Sequence, residues 1–422
     1  MQREPPFLVH KQAEDIAKGM QDSSTTDTES VENTNLYSLF WTFLKIGSTA
    51  FGGFMALISV VQNYVVERRR LLSHEEMLDG ISLATILPGP IAFNVVAYVG
   101  YKLRGIVGAL TATVAVTLPT FLLILVLSYG YFTWGEIPSV NRFFQGFIPA
   151  VSAIIVSTVW NMGRKTLKGV PEMVIAAIAC ALLIGIGGFF ITLGIIVVAG
   201  TAGYLLFRDP QQKTPLPKSE PQTDNTSSKR LYSSTLLPIV TTAAPFFSTD
   251  LIMAGKILIT FAGMSLLLFG GGFVFIPLIQ EIVVDGKGWV SHKEFIDGIA
   301  LGQVTPGPIL ISAAFIGYKM AGLLGAVAGT IGIFTPPAVV MLICTSYLDK
   351  IKDSRVIKAA MRGIRCGVIG MIMAAAYVVA STAEPNLISL TIFAAALFAL
   401  LKLKLEVVWI IPGAGLLGLL FY

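Results

Sequence analysis

The sequence predicts an all-α polytopic membrane protein built from two homologous halves, and three observations predict it. Of 422 residues, 54% are hydrophobic and 13% charged, with a mean hydropathy of +0.75; a soluble globular domain carries roughly 25% charge. Runs free of Asp, Glu, Lys and Arg cover 105–135, 143–163, 173–207, 257–280, 320–348 and 366–383, and about 20 apolar residues cross a bilayer as a helix. The third observation is a duplication at a spacing of about 218 residues. SHEEMLDGISLATILPGP (73–90) matches SHKEFIDGIALGQVTPGP (291–308) at ten of eighteen positions, and GYKLRGIVGA (100–109) matches GYKMAGLLGA (317–326) at six of ten. Upstream, Phe51-Gly52-Gly53 recurs as Phe269-Gly270-Gly271.

The elements follow in order. Residues 1–36 hold seven acids, three Lys/Arg and no hydrophobic signal core, the composition of a disordered polar tail. The first repeat spans 37–207 and opens on an apolar helix (37–66) containing the Phe-Gly-Gly. A short amphipathic helix follows. Ser73 with Glu76, like Ser291 with Glu294 in the second half, has the capping-box spacing. Pro88-Gly89-Pro90 then breaks the chain, and a second short helix ends at Gly100-Tyr101-Lys102. Spanning helices close the repeat at 106–131, 143–162 and 173–207, the last long enough for two helices turning at Gly185, Gly187 and Gly188. A linker rich in Pro, Gln, Ser and Thr (208–235) leads to the second repeat (236–422). Its apolar helix is expected at 256–284 and its later spans at 321–347, 356–380, 387–401 and 407–422.

Loop charge reverses between the halves. Arg164, Lys165 and Lys168 form a basic connection whose counterpart, 381–386, has no Lys or Arg. Conversely the poorly basic 136–142 corresponds to 349–358, which holds four. By the positive-inside rule the repeats lie in opposite orientations, an inverted-topology repeat in which each Pro-Gly-Pro belongs to a re-entrant hairpin.

Backbone polar groups are costly to leave unpaired in lipid, so paired breaks at matching positions mark a transporter's binding site. Proline ends one helix and suits the first position of the next. The amides after each break are then free, at the positive end of a helix dipole, where an anion binds. The plainer alternative is packing alone, since Pro and Gly are common in membrane helices. The candidate binding residues are Gly52, Gly53, Pro88, Gly89, Pro90, Ile91 and Asn94 in the first half. In the second they are Gly270, Gly271, Gln303, Pro306, Gly307, Pro308 and Ile309. Thr85, Thr305 and Ser312 add hydroxyls nearby.

A dianion between two helix ends, each worth roughly half a charge, leaves about one charge unmatched. Lys45, Lys102 and Lys319 are the candidate cations, with snorkelling to the interface as the plainer explanation. Glu76, Asp79, Glu294 and Asp297 are the candidate proton carriers. Capping already explains both glutamates, and a solvated or salt-bridged face is the plainer place for both aspartates.

Other classes fit poorly. The net charge of +5 comes from loop residues beside apolar runs and carries no nucleic-acid signal. Cys180, Cys344 and Cys366 form no CxxC pair, the histidines number three, and no catalytic constellation is spaced for an enzyme. No metal or cofactor is expected.

Taken together, FLKIGSTAFGGF (43–54), VVERRRLLSHEEMLDGISLATILPGP (65–90), GYKLRGIVGA and Leu118-Pro119 resemble the chromate ion transporter family. The second half repeats the set with FGGGF, GWVSHKEFIDGIALGQVTPGP, GYKMAGLLGA and Thr335-Pro336. The resemblance runs from Tyr37 to the C-terminus, as in a long-chain, two-domain member. It implies a multi-pass transporter of the plasma or bacterial inner membrane that exports chromate, with sulfate as the look-alike, driven by an ion gradient. The sequence departs from the family pattern at Phe54, where a proline is usual, at Gly272, and at Thr85, where the second half has Gln303. The expected partners are a small inorganic oxyanion, the lipid bilayer and a coupling proton, with a homodimer as the candidate assembly. The rivals are a carrier of another small substrate on the same scaffold and an uncoupled anion channel.

Overall fold

The computed structural model describes residues 35–50, 54–135, 137–207, 249–269, 275–347, 354–382 and 386–422, and every regular element among them is helical. The polar tail to residue 34, the linker, Gly52, Gly53, Gly270, Gly271 and Gly272 lie outside the described residues.

Helix α1 (Leu36–Thr49) starts on Asn35, whose side chain accepts from the Tyr37 amide. Helix α2 (Phe54–Gln62) runs into a π turn, Asn63–Arg68. Helix α3 (His74–Ile86) begins on a complete capping box: Ser73 takes the Glu76 amide and Glu76 takes the Ser73 amide. Ser291 and Glu294 do the same for α11 below. Two orphan amides are thereby satisfied at each start, as the spacing predicts.

Helix α4 (Ile91–Trp134) is one continuous stretch interrupted at Arg104 and Gly105, where φ/ψ reach −148°/28° and 62°/−152°. The second limb folds back so tightly that a Cβ on Gly100 would sit 2.5 Å from the Gly108 carbonyl oxygen. This explains the GYK–G–GA motif. Gly105 supplies a left-handed φ at the hairpin tip, and Gly100 and Gly108 let the limbs touch.

Then come α5 (Pro138–Gln145), α6 (Phe147–Thr166), α7 (Val170–Gly185) and α8 (Phe189–Phe207). Gly187 and Gly188, both at positive φ, turn α7 into α8.

The same order recurs in the second half. Helices α9 (Thr249–Ser265), α10 (Phe275–Ile279, with a π turn Gln280–Gly286) and α11 (His292–Val304) lead to the second break. A 3-10 turn, Ile309–Ile311, opens α12 (Ser312–Thr345), which is interrupted at Ala321 and Gly322 with φ/ψ of −150°/33° and 56°/−141°. Helices α13 (Arg355–Thr382), α14 (Leu387–Phe398) and α15 (Val407–Phe421) follow.

Among the described residues, five helical stretches are long and apolar enough to cross a membrane: Ile91–Trp134, Pro138–Thr166, Phe190–Phe207, Ile309–Thr345 and Arg355–Val379. Their outer faces expose Ile106, Leu110, Val114, Val198 and Leu324, a surface suited to lipid rather than water. The protein is an all-α, multi-pass membrane protein.

Small residues let the later helices close on the core. A Cβ at Gly363 would lie 2.0 Å from the Ala199 carbonyl oxygen, and one at Gly146 2.1 Å from that of Ala414, the close backbone approach that stabilises helix pairs in lipid. One charged link joins α7 to α13. Arg362 donates to Glu172 at 2.5 Å, and its guanidinium lies 4.3 Å from the Phe207 ring centroid on α8. Glu172 is buried, so removing Arg362 strands a carboxylate. Arg362→Ala is expected to destabilise the protein by about 2 kcal/mol, and Glu172→Gln/Arg362→Ala to recover most of it in a thermal unfolding measurement. Equal losses for the single and double variants would show the pair to be idle.

The first apolar stretch of each half departs from the expected single helix. Helix α1 stops at Thr49, with Ala50 at φ −82°, ψ 67°, and α9 stops at Ser265. The reason lies in tertiary contacts made by the freed carbonyls.

Candidate functional site

Each Pro-Gly-Pro is held by the opposite half. The Gly89 amide donates to the Leu268 carbonyl at 2.6 Å, and the Gly307 amide to the Ala50 carbonyl at 3.1 Å. Leu268 and Ala50 are equivalent, each one residue before a Phe-Gly-Gly. Ala50 directly follows the end of α1 and Leu268 lies three residues past the end of α9, so each carbonyl is outside the helical ladder and takes the break's amide.

The proline-bearing limbs clamp the same glycines from the other side. Pro337, beside Pro336 in α12, packs on Gly89. Thr120, beside Pro119 in α4, packs on Gly307 and donates its hydroxyl to the Pro306 carbonyl. Gly89 (φ 102°) and Gly307 (φ 112°) are both in the region that favours glycine.

With Gly89 and Gly307 committed, the amides left for a ligand are those that begin the next helix. In α4 the first helical bond is Asn94 amide to Pro90 carbonyl, so the amides of 91–93 have no partner within the helix. Asn94, fully buried, turns its Nδ2 back to the Pro88 carbonyl at 3.0 Å, while its Oδ1 has no partner. At the second break the 3-10 turn takes the Ile311 amide to Pro308. Ser312 donates to the Gly298 carbonyl at 3.0 Å and Thr305 to that of Gly302 at 2.8 Å. Gln303 directs a buried Nε2 that has no partner, three residues before Pro306. Its counterpart Thr85 spends its hydroxyl on the Ser82 carbonyl at 2.7 Å.

A cleft of about 230 Å³ lies between the second limbs of α4 and α12 and reaches the first break through Phe93. Phe93 stacks on Phe334 with centroids 4.7 Å apart. Thr113 and Thr330 line it, but both hydroxyls return to their own helices at 2.8 Å. The cleft is apolar, and the polar donors sit at the breaks.

The structure separates the electrostatic candidates. Lys102 lies 3.8 Å from Glu76, and Lys319 2.5 Å from Glu294, so two lysines and two capping glutamates pair off at the outer ends of the hairpins. Eleven residues separate Lys102 from Ile91, about 17 Å along the helix. Burial opposes the charge of Glu294, but hydrogen bonds from Lys319 and the Ser291 amide outweigh it and hold the carboxyl below its usual range. Lys45 is exposed on α1. Asp79 is half-buried.

Asp297 departs from the expected solvated face, being 0% exposed. Tyr131, from the end of α4, donates to its Oδ2 at 2.7 Å, and its Oδ1 has no partner. The aromatic sleeve around that tyrosine, with Phe132, Phe144 and Phe315 at 5.1, 4.8 and 5.2 Å between centroids, excludes water from the pair.

Arg365 is the functional candidate that sequence reasoning passed over. It sits ten residues inside α13, about 15 Å along the helix, and donates to the Thr85 carbonyl at 3.2 Å. The signal was its spacing: Arg355, Lys358, Arg362 and Arg365 recur at the three- and four-residue steps of one helix face.

A family model described as chromate transporter matches residues 37–204 and 255–419. A chromate transport protein of Pseudomonas aeruginosa is 33% identical over 412 residues, 95% of this chain and 96% of the relative. An uncharacterized transporter of Methanocaldococcus jannaschii is 30% identical over 396 residues, 93% of this chain and 96% of the relative. A chromate transport protein of Cupriavidus metallidurans is 28% identical over 412 residues, 95% and 98% of the two chains. No solved structure matches the chain.

Proposed function

The chain belongs to the chromate transporter family, and from that premise we propose that it carries chromate, or the similarly shaped dianion sulfate, across the membrane as a secondary transporter. The observation that carries the proposal is the pair of reciprocally clamped breaks. Each places a helix start inside apolar sequence, and each is gripped by the first helix and the proline-bearing limb of the opposite half. A tetrahedral oxyanion suits such a place because backbone amides and helix dipoles attract negative charge. The same grip supplies a mechanism. If the halves rock against each other, both breaks move together and the site opens to one side at a time.

Export, the sulfate alternative and proton coupling belong to this proposal, as do the repeat boundaries 37–207 and 236–422. The deciding experiment is uptake of radiolabelled chromate and sulfate into proteoliposomes with and without a proton gradient. Saturable, gradient-dependent uptake is expected. Unsaturable flux indifferent to the gradient would indicate a channel, and no oxyanion flux would overturn the reading.

The opposed orientation of the halves makes a separate prediction. In a protein lacking Cys180, Cys344 and Cys366, cysteines at positions 166 and 138 should react with a membrane-impermeant reagent from opposite sides. Position 166 is expected inside with the linker and 349–358, and 138 outside with 381–386. Reaction of both from one side would rule out the inverted repeat.

A further inference from the structure

We infer that Arg365 is the positive charge that completes the oxyanion site at the first break. The inference rests on the oxyanion reading above and adds a residue to it. Three observations support it.

The first is position. The Arg365 guanidinium bonds the Thr85 carbonyl at 3.2 Å, three residues before Pro88, where α3 ends and the chain turns into the free amides of α4. The second is an imbalance of partners. Arg362, one turn earlier, has Glu172. Among the described residues no carboxylate lies within ion-pair distance of Arg365. A half-buried cation inside a membrane span is costly and is normally paired, and a guanidinium has five donors to place. One hydrogen bond leaves most of them for another acceptor, and the acceptor the site lacks is an anion.

The third is the asymmetry of the repeat. The residue equivalent to Arg365 in the first half is Phe147 or Ile148, depending on register, and both are apolar. One cation therefore enters the duplicated site, not two. Two helix starts supply roughly one charge in total, so a single arginine matches the remaining charge of a dianion. The second break offers a neutral donor at the corresponding place: Gln303, with its unpartnered Nε2, stands where Thr85 stands in the first.

The alternative is that Arg365 only caps the C-terminal end of α3, a role open to any basic residue there. Charge and hydrogen bonding can be separated. In proteoliposomes, Arg365→Gln, which keeps a donor but no charge, should raise the half-saturation concentration for chromate and sulfate at least tenfold. Arg365→Lys should stay within about threefold of the parent. Inhibition by nitrate, a monoanion, should change less than threefold in either.

Should the Gln variant fail to fold, the unaltered protein still tests the idea. Saturating sulfate should protect Arg365 from phenylglyoxal, read on its peptide by mass spectrometry, while Arg164, in the last turn of α6, stays reactive. Unchanged dianion affinity in Arg365→Gln, or modification of Arg365 unaffected by sulfate, overturns the inference and leaves the transport reading standing. A parent protein that moves neither chromate nor sulfate overturns the reading and the inference with it.

Discussion

Gly89→Ala is expected to abolish oxyanion flux, and Gly307→Ala to leave a measurable part of it. Both glycines sit at positive φ, 102° and 112°, where a side chain costs roughly 1–2 kcal/mol. The surroundings then differ. A Cβ at Gly89 would lie 2.2 Å from Pro337 Cβ and 2.6 Å from its Cγ. That ring is rigid and sits in a helix, so the clash must move backbone. At Gly307 the nearest atom is the Thr120 hydroxyl oxygen at 2.9 Å, which can swing away at the loss of its bond to the Pro306 carbonyl. Overpacking adds about 1–3 kcal/mol, its upper end for Gly89 and its lower for Gly307.

The strain is local to the breaks, so assembly should survive while the helix start is displaced. Pro337→Gly in the Gly89→Ala background should restore part of the flux, because the two changes share one contact and do not add. Flux measured beside thermal unfolding separates site from scaffold. Parental flux in Gly89→Ala would place the substrate elsewhere. A related change, Pro88→Ala/Pro90→Ala, should also suppress flux, since alanine lacks proline's helix-interior penalty of about 3 kcal/mol and lets α3 run on through the break.

Much of this was legible in the sequence because the fold is local and duplicated. Charge-free runs marked the spans, and Ser73 with Glu76, repeated as Ser291 with Glu294, set two helix starts to the residue. The turn at Gly187 and Gly188 was marked by glycines that alone tolerate its φ. Contacts between the halves were not legible. Nothing in the first apolar stretch says that the Ala50 carbonyl will leave its helix, because its partner, the Gly307 amide, is 257 residues away. The hairpin tips at Arg104–Gly105 and Ala321–Gly322 were visible as a repeated motif but not as reversals. Arg365 falls inside the span expected at 356–380, but nothing in the sequence says that it meets the Thr85 carbonyl 280 residues away. Asp297 matches Asp79 in sequence, yet its burial depends on Tyr131 arriving from the other half.

That burial gives the second large effect: Asp297→Asn should uncouple flux from the proton gradient while preserving the fold. An ionised Asp297 would hold a full charge away from water with one hydrogen bond, from Tyr131, and one oxygen without a partner. Such a charge is expensive unless matched, whereas the neutral acid places its proton on the free oxygen. The charged and titratable groups that face it are Tyr131 from α4 and Lys293 and Glu294 from its own helix. Lys293, engaged with the neutral Asn141, favours the ionised form of Asp297, and Glu294, paired with Lys319, opposes it. A conformational change that admitted water would favour release of the proton, which is the property a coupling residue needs. Asparagine keeps the shape and an acceptor for the Tyr131 hydroxyl but cannot titrate. Asp297→Asn should therefore transport down an oxyanion gradient and ignore collapse of the proton gradient. Asp79→Asn, at the half-buried equivalent, should respond like the parent. Tyr131→Phe should keep coupling but shift the pH dependence of flux, because it removes the side-chain hydrogen bond that favours the charged carboxylate. Gradient dependence in Asp297→Asn equal to that of the parent would remove Asp297 from the coupling path and leave the buried pair with a purely structural role at the junction of the two halves.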